Sequence, residues 1–178
     1  KDVRGQIADC RLCADKFEML TGRALKGCKV VEVGAGQCLR RAREFAIDNE
    51  VTATDLDVYA SGLDIRAYLE VLRRNGAKRL AKTIGLRIFG TDRAYNRALA
   101  KALGVPRLPR AGFRQMDATK MDFADNSVDL VYSYQVFEHL PEPEAVWREC
   151  TRIIKPGGCV FTLLHLYTSD SGCHDLRI

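Results

Sequence analysis

An α/β fold, built as a doubly wound and mostly parallel sheet with helices on both faces, is predicted by three observations. Short runs rich in β-branched and apolar residues (28–33, 51–55, 113–116, 128–134 and 159–165) alternate with stretches of helical periodicity. The first run ends in a tight glycine turn, Gly34-Ala35-Gly36, that opens a helix. The second ends in a carboxylate, Asp55, about 20 residues further on, where folds of this kind place an acceptor for ribose hydroxyls.

The elements follow in order. Val3, Ile7, Cys10, Ala14 and Phe17 recur at helical spacing and predict an amphipathic leading helix over 3–20. After strand one and the glycine turn, a helix over 39–49 offers free backbone N–H groups at its start. Strand two spans 51–55. Strand three is short, near 113–116. Strand four spans 128–134 and leads to a helix beginning near Pro143 that carries Trp147. Strand five spans 159–165. Between strands two and three, residues 61–112 form an insertion. Ile65, Tyr68, Leu69 and Leu72 make one helical stripe ending near Gly76; Tyr95, Leu99 and Leu103 make another, stopped by Gly104 and Pro106.

The chain has 178 residues, 47% of them apolar, enough to bury a substantial core without staples. No run approaches the roughly 20 apolar residues that a membrane span needs. The chain begins at Lys1 without a signal-peptide pattern, and the native N-terminus is expected to lie further upstream. Seven cysteines, an odd number, suit a reducing compartment, so a cytoplasmic location is expected. Cys10-Arg11-Leu12-Cys13 reads as core thiols, with a metal or redox pair as the alternative. No second Cys-x-x-Cys completes a zinc site, and Cys173-His174 complements it weakly.

The glycine turn implies a nucleotide-containing cofactor. A dinucleotide fingerprint needs a small third residue where this chain has Leu39, and Glu32 would repel a pyrophosphate. A cofactor that carries an amino group suits Glu32 better.

Five ordered blocks carry a family resemblance: Glu32-Val33-Gly34-Ala35-Gly36; Asp55; Met116-Asp117-Ala118; the run from Asp125 to Ser133 with Phe137-Glu138-His139-Leu140-Pro141; and Arg152-Ile153-Ile154-Lys155-Pro156-Gly157-Gly158. In these the chain resembles the class I S-adenosylmethionine-dependent methyltransferases of the small-molecule, methyltransferase-11-like kind, over roughly 26–166. The resemblance implies a Rossmann-like single domain over 1–178, lacking the family's C-terminal hairpin, with S-adenosyl-L-methionine as cofactor. It would place Glu32 near the methionine moiety and the backbone of Gly34, Ala35, Gly36 and Gln37 along methionine and ribose. Asp55 would hold the ribose hydroxyls with Leu56 beside the adenine. Asp117 would accept from the adenine amino group with Ala118 close by, and Ser133, Tyr134 and Gln135 would line the sulfonium end. The family's third glycine is replaced here by Cys38.

The insertion holds twelve Lys/Arg against three acids, a net +9 in a chain of net +5. Its basicity is therefore local, and it is expected to form a helical lid that recognises an anionic acceptor or touches a membrane surface. A solvated helical face is the plain alternative. Few aromatics interleave with the basic residues, which disfavours nucleic acid.

His139, just after strand four, is the catalytic candidate: an imidazole there could take a proton from a hydroxyl nucleophile. A capping role for Glu138 and His139 is the alternative. Relatives with a Glu-x-x-Glu-His metal site have a carboxylate where this chain has Gln135, so no metal is expected. His165 and Tyr167 end strand five within reach of an acceptor pocket. The expected function is methyl transfer from S-adenosylmethionine to a small molecule, at oxygen. A catalytically inactive cofactor-binding partner subunit and another S-adenosylmethionine-using transferase stay open.

Overall fold

The computed structural model describes residues 2–36, 38–57, 65–88 and 91–164. In chain order these form α1 (Val3–Thr21), β1 (Lys29–Val33), α2 (Arg40–Phe45), β2 (Glu50–Asp55), α3 (Ile65–Ile88), α4 (Thr91–Ala102), β3 (Gly112–Gln115), β4 (Val128–Tyr134), a 3-10 turn (Phe137–His139), α5 (Pro143–Ile153) and β5 (Ile154–Leu163). All strand pairs are parallel, in the order β3-β2-β1-β4-β5. The chain winds outward from β1 to β3, then crosses to the other side of β1. That reversal between β1 and β4 opens a crevice at the carboxyl ends of the strands, where ligands of such sheets bind.

Strand periodicity divides the core into two layers. Val30 of β1 and Leu130 and Tyr132 of β4 face Cys10, Cys13 and Phe17 of α1 and Ala42 and Phe45 of α2. Val31, Val33 and Val131 face the other way, onto Val146, Cys150 and Ile153 of α5. Tyr132 anchors the first layer, edge-on to Phe45 at 5.1 Å and stacked on Phe161 at 6.0 Å. The thiols of Cys10 and Cys13 are buried in this layer and unbridged, and desolvation pushes both pKa values far up, as expected of core thiols.

Several boundaries differ from the sequence expectation for identifiable reasons. The buried residues of α1 are Gln6, Cys10, Cys13 and Phe17, so the stripe is rotated away from Val3, Ile7 and Ala14. Gln6 can be buried because its amide donates to Glu44 Oε2 at 2.8 Å and to the Arg40 carbonyl. The helix after the glycine turn stops at Phe45 rather than near Asn49. There the Asn49 side chain takes over, donating to the carbonyls of Leu25 and Phe45 and accepting from the Cys28 N–H. The insertion is helical as expected, and the first helical stretch of α3 ends at Gly76 as expected, where φ 81° and ψ 168° break the helix; a second stretch then runs on to Ile88. β5 begins at Ile154 instead of Cys159. The Lys155–Gly158 stretch is absorbed into it as a register shift against Val128 and Leu130. Gly158 is required in that bulge, since a Cβ there would lie 2.6 Å from the Asp129 carbonyl oxygen. Gln37, residues 58–64, and the tail with His165, Tyr167, Cys173 and His174 lie outside the described residues.

The amino edge of the sheet is held by one buried carboxylate. Asp129 accepts from Arg23 Nη2 and the Lys29 N–H at 2.8 Å and from Lys155 Nζ at 3.0 Å, tying the α1–β1 loop, β1 and the start of β5 together. Burial alone would raise its pKa, but the hydrogen bonds from Arg23, Lys29 and Lys155 outweigh that and hold it at about 2. A depressed carboxylate stabilises the fold above its unfolded pKa and loses that contribution as pH falls through the folded value. The acid limb of an unfolding-versus-pH profile is therefore expected between about pH 4 and 2 for this group. Asp129→Asn should flatten that limb and lower stability at neutral pH by about 1.5–3 kcal/mol, the usual scale for hydrogen bonds to a charged group. Urea denaturation across pH checks both.

Candidate active site

Register alone brings most of the sequence-predicted residues to one edge. Val33 lies opposite Thr54 on one side and Ser133 on the other, and Asp55 lies opposite Gln115. One step further along the chain come Gly34, Asp55 itself, Tyr134 and Met116, with Asp117 next, so four neighbouring strands deliver their terminal residues to the switch point.

The turn after β1 is fastened to β2. The Thr54 carbonyl accepts from Gly34 N at 2.9 Å and Ala35 N at 3.0 Å, and the Thr54 hydroxyl donates back to the Glu32 carbonyl at 3.0 Å. Asp55 Oδ2 accepts from Gly36 N at 2.8 Å, and Oδ1 accepts from Asp57 N at 2.9 Å. Gly34 (φ 74°) and Gly36 (φ 65°) occupy the left-handed region, which favours glycine. A Cβ on Gly34 would strike Val136 at 2.4 Å, so the chain beyond β4 closes directly on the turn, whereas a Cβ on Gly36 would project into open space.

Glu32 is the electrostatic centre. It is 5% exposed and faces α2. The Ala42 N–H hydrogen-bonds to its carboxylate, yet Oε2 has no hydrogen-bond partner among the described residues. Desolvation raises its pKa to about 7, against the lowering influence of Arg41 and Ala42. Arg41 belongs to a network that sequence reasoning missed. Its Nη2 meets Asp9 Oδ2 at 3.0 Å, its guanidinium lies 3.5 Å from the centre of the Tyr134 ring, and its Nε is buried without a partner among the described residues. The only sequence-level signal was the Arg40-Arg41 pair at the start of a helix, where cations oppose the dipole.

The other predicted residues are placed as follows. Leu56 is exposed just beyond Asp55, its carbonyl accepting from Gln115 Nε2. Asp117 is exposed, and its Oδ1 accepts from the Thr119 N–H and hydroxyl at 2.8 Å, which lowers its pKa. Ala118 packs on the α5-side core. Ser133 is fully buried, its hydroxyl without a partner among the described residues, while Tyr134 turns toward Arg41. Gln135 takes φ 55°, and its N–H meets the Leu163 carbonyl at 2.6 Å. His139 is exposed in the 3-10 turn, its N–H donating to the carbonyl of Val136, the residue that abuts Gly34. Among the described residues, no group of three or more His, Cys, Asp and Glu side chains could hold a metal ion.

A cofactor with an amino group at one end and a ribose at the other fits this arrangement. Glu32 Oε2 is a buried acceptor awaiting a donor, Asp55 ends β2 beside the turn, and Gly36 leaves open space for close approach.

Comparison with known proteins shows a class I S-adenosylmethionine-dependent methyltransferase domain. The chain belongs to the methyltransferase-domain family, whose model matches residues 67–162. Its cofactor is S-adenosyl-L-methionine. The chain is 30% identical over 95 residues to phosphoethanolamine N-methyltransferase 2 of Caenorhabditis elegans, covering 51% of this chain and 21% of that protein. It is 29% identical over 139 residues to a sterol 24-C-methyltransferase of Neurospora crassa, covering 72% and 37%. Among solved structures, a proposed sarcosine dimethylglycine methyltransferase of Galdieria sulphuraria shares the fold, with a TM-score of 0.50, 20% identity, and coverage of 84% of this chain and 43% of that one. The chain thus spans well under half the length of the curated relatives it matches. No described helix is long and apolar enough to cross a membrane.

A carboxyl whose pKa sits at about 7 without ligand should ionise when an ammonium group arrives, so binding of S-adenosylhomocysteine should release a proton between about pH 6 and 7. Calorimetry in buffers of different ionisation enthalpy measures this. Glu32→Gln should abolish the released proton and weaken binding by about 1.5–3 kcal/mol.

Proposed function

We propose that the protein to which this domain belongs transfers a methyl group from S-adenosylmethionine to a small-molecule acceptor, at an oxygen atom, and that 61–112 forms a lid over the acceptor. The observation that carries the reading is the convergence of the buried Glu32 carboxylate, the Gly34–Gly36 turn and Asp55 at the switch point. When bound, the cofactor supplies an electrophilic methyl on a sulfonium. Glu32 would hold its ammonium group, Asp55 its ribose hydroxyls with Leu56 alongside the adenine, and Asp117, with Ala118, its adenine amino group. The backbone of Gly34, Ala35, Gly36 and Gln37 would follow methionine and ribose, and Ser133, Tyr134 and Gln135 would border the sulfonium.

Methyl transfer is an in-line displacement, so alignment of the nucleophile is the main requirement. A base is needed only where that nucleophile begins protonated, and His139, one turn beyond the residue that closes on Gly34, is the side chain we assign to take that proton. Support for the lid comes from where the insertion leaves and returns: it departs just after Asp55 and rejoins at β3, which leads to Asp117. It is anchored near the turn by Asp92, which accepts from Arg40 Nη2 at 3.0 Å.

A second reading has its own support. An amine bearing a phosphate would suit the +9 insertion, and one relative is named as a phosphoethanolamine N-methyltransferase. Transfer of labelled methyl to alcohols, phenols and phosphorylated amines separates the two.

Two outcomes are expected. S-adenosylhomocysteine should bind and NAD should not, with Asp55→Ala weakening the former by about 1–3 kcal/mol; tight NAD binding instead would overturn the cofactor assignment. His139→Asn should leave S-adenosylhomocysteine affinity unchanged and lower transfer to a hydroxyl acceptor by about 10²-fold or more. Full activity of that variant would remove His139 from the catalytic role.

A further inference from the structure

We propose that the cleft between α2, α4 and residues 105–108 binds a small phosphate-bearing ligand at a site separate from that of methyl transfer. The cleft is open to solvent, has a volume of about 660 Å³ and is lined by five cationic side chains, Arg43, Arg93, Arg97, Lys101 and Arg107, together with Asn96 and, among the described residues, no carboxylate. Arg93, Arg97 and Lys101 follow one another at i, i+4 and i+8, so they share one face of α4, a spacing at which like charges destabilise a helix. A solvated basic face usually relieves that repulsion with interspersed acids. Here the one acid of α4, Asp92, is taken by Arg40, and none of Arg93, Arg97, Lys101 or Arg107 pairs with a carboxylate among the described residues.

The shape is built, not incidental. α4 ends in a glycine cap: Gly104 at φ 69° donates to the Lys101 carbonyl at 3.2 Å, and Val105 N donates to the Ala100 carbonyl at 3.0 Å. This cap turns the chain so that Val105 and Pro106 join the wall of the cleft, while fully buried Leu99 fixes the helix beneath. Concave walls of one sign concentrate the field and draw anions.

The volume lies in the range of small-molecule sites, roughly 300–1,000 Å³. Among the described residues no aromatic side chain lines the cleft to stack a base, which disfavours a single-stranded nucleic acid.

The cleft shares no residue with the cofactor set. The segment that leaves it enters β3 at Gly112, opposite Thr52 in the first half of β2, while Asp55 ends that strand.

The test is calorimetric titration of the chain with inorganic pyrophosphate, needing no methyl-transfer assay. Saturable, salt-sensitive binding is expected, weakened about tenfold or more in Arg97→Ala/Lys101→Ala and retained in the charge-preserving Arg97→Lys/Lys101→Arg. S-adenosylhomocysteine affinity should be the same in all three proteins, which also reports that the variants are folded. Vesicles containing a phosphoinositide form a parallel arm: co-sedimentation abolished by the alanine pair identifies a lipid headgroup as the source of the phosphate, and binding to pyrophosphate alone identifies a free metabolite. The proposal is overturned if pyrophosphate fails to bind, if it binds the alanine variant equally well, if S-adenosylhomocysteine displaces it, or if only an RNA oligomer binds.

Discussion

Thr54 is the residue on which the site's geometry depends. A glycine turn has many conformations open to it, and a cofactor that binds backbone must bear the entropy of selecting one. Here the selection is made in advance. The Thr54 carbonyl takes the N–H groups of Gly34 and Ala35, its hydroxyl returns to the Glu32 carbonyl, and the next residue, Asp55, takes Gly36. All of these contacts follow from parallel pairing of β1 with β2 in the observed register, Val33 opposite Thr54. A slip of one residue would turn Thr54 to the other face and leave the turn without its latch.

The latch places a carboxylate where water cannot reach it, and the layer above must answer that cost. Glu32 and Glu44 both lie on the α1–α2 side, and burial raises the pKa of both. Gln6 donates to Glu44, Arg41 lowers Glu32, and Asp9 in turn holds Arg41. Two of these three partners, Gln6 and Asp9, come from α1. The leading helix therefore completes the electrostatics under the cofactor turn as well as covering apolar surface, and Tyr95 of α4 extends the chain by donating to Gln6 at 3.0 Å. Removing α1 would expose core and strand a charge at once.

The strands, the glycine turn, Asp55 and the two helices of the insertion were legible because each leaves a local signature: β-branched runs, glycines at a strand end, a terminal acid, stripes at helical spacing. What escaped was set by partners far along the chain. Gln6 has no place in the apolar stripe because Glu44, which allows its burial, lies 38 positions away. The expected stripe of Val3, Ile7, Cys10, Ala14 and Phe17 therefore holds at Cys10 and Phe17 and gives way elsewhere to Gln6 and Cys13. Asp129 appeared as one acid in a family block, and nothing local showed that Arg23, Lys29 and Lys155 would converge on it. At Gly76 the helix does break, as the local pattern indicates, but the helical stretch that follows up to Ile88 left no stripe of its own to read.

Leu39 joins the two kinds of information. It stands where a dinucleotide fold needs a small residue, and it adopts φ 48°, a left-handed conformation unusual for a branched side chain. That conformation costs on the order of 1–3 kcal/mol. The side chain is 2% exposed in the α1–α2 layer, and burying a leucine returns about 1.5–3 kcal/mol, so packing offsets the strain. Gln135, at φ 55° after β4, is held similarly by its bond to Leu163. The glycine turn is thus flanked on both sides by strained residues that the surrounding structure keeps in place. A leucine filling this space also bars the close helix–strand approach that a pyrophosphate requires, so the same side chain that stabilises the turn narrows the cofactors it can accept.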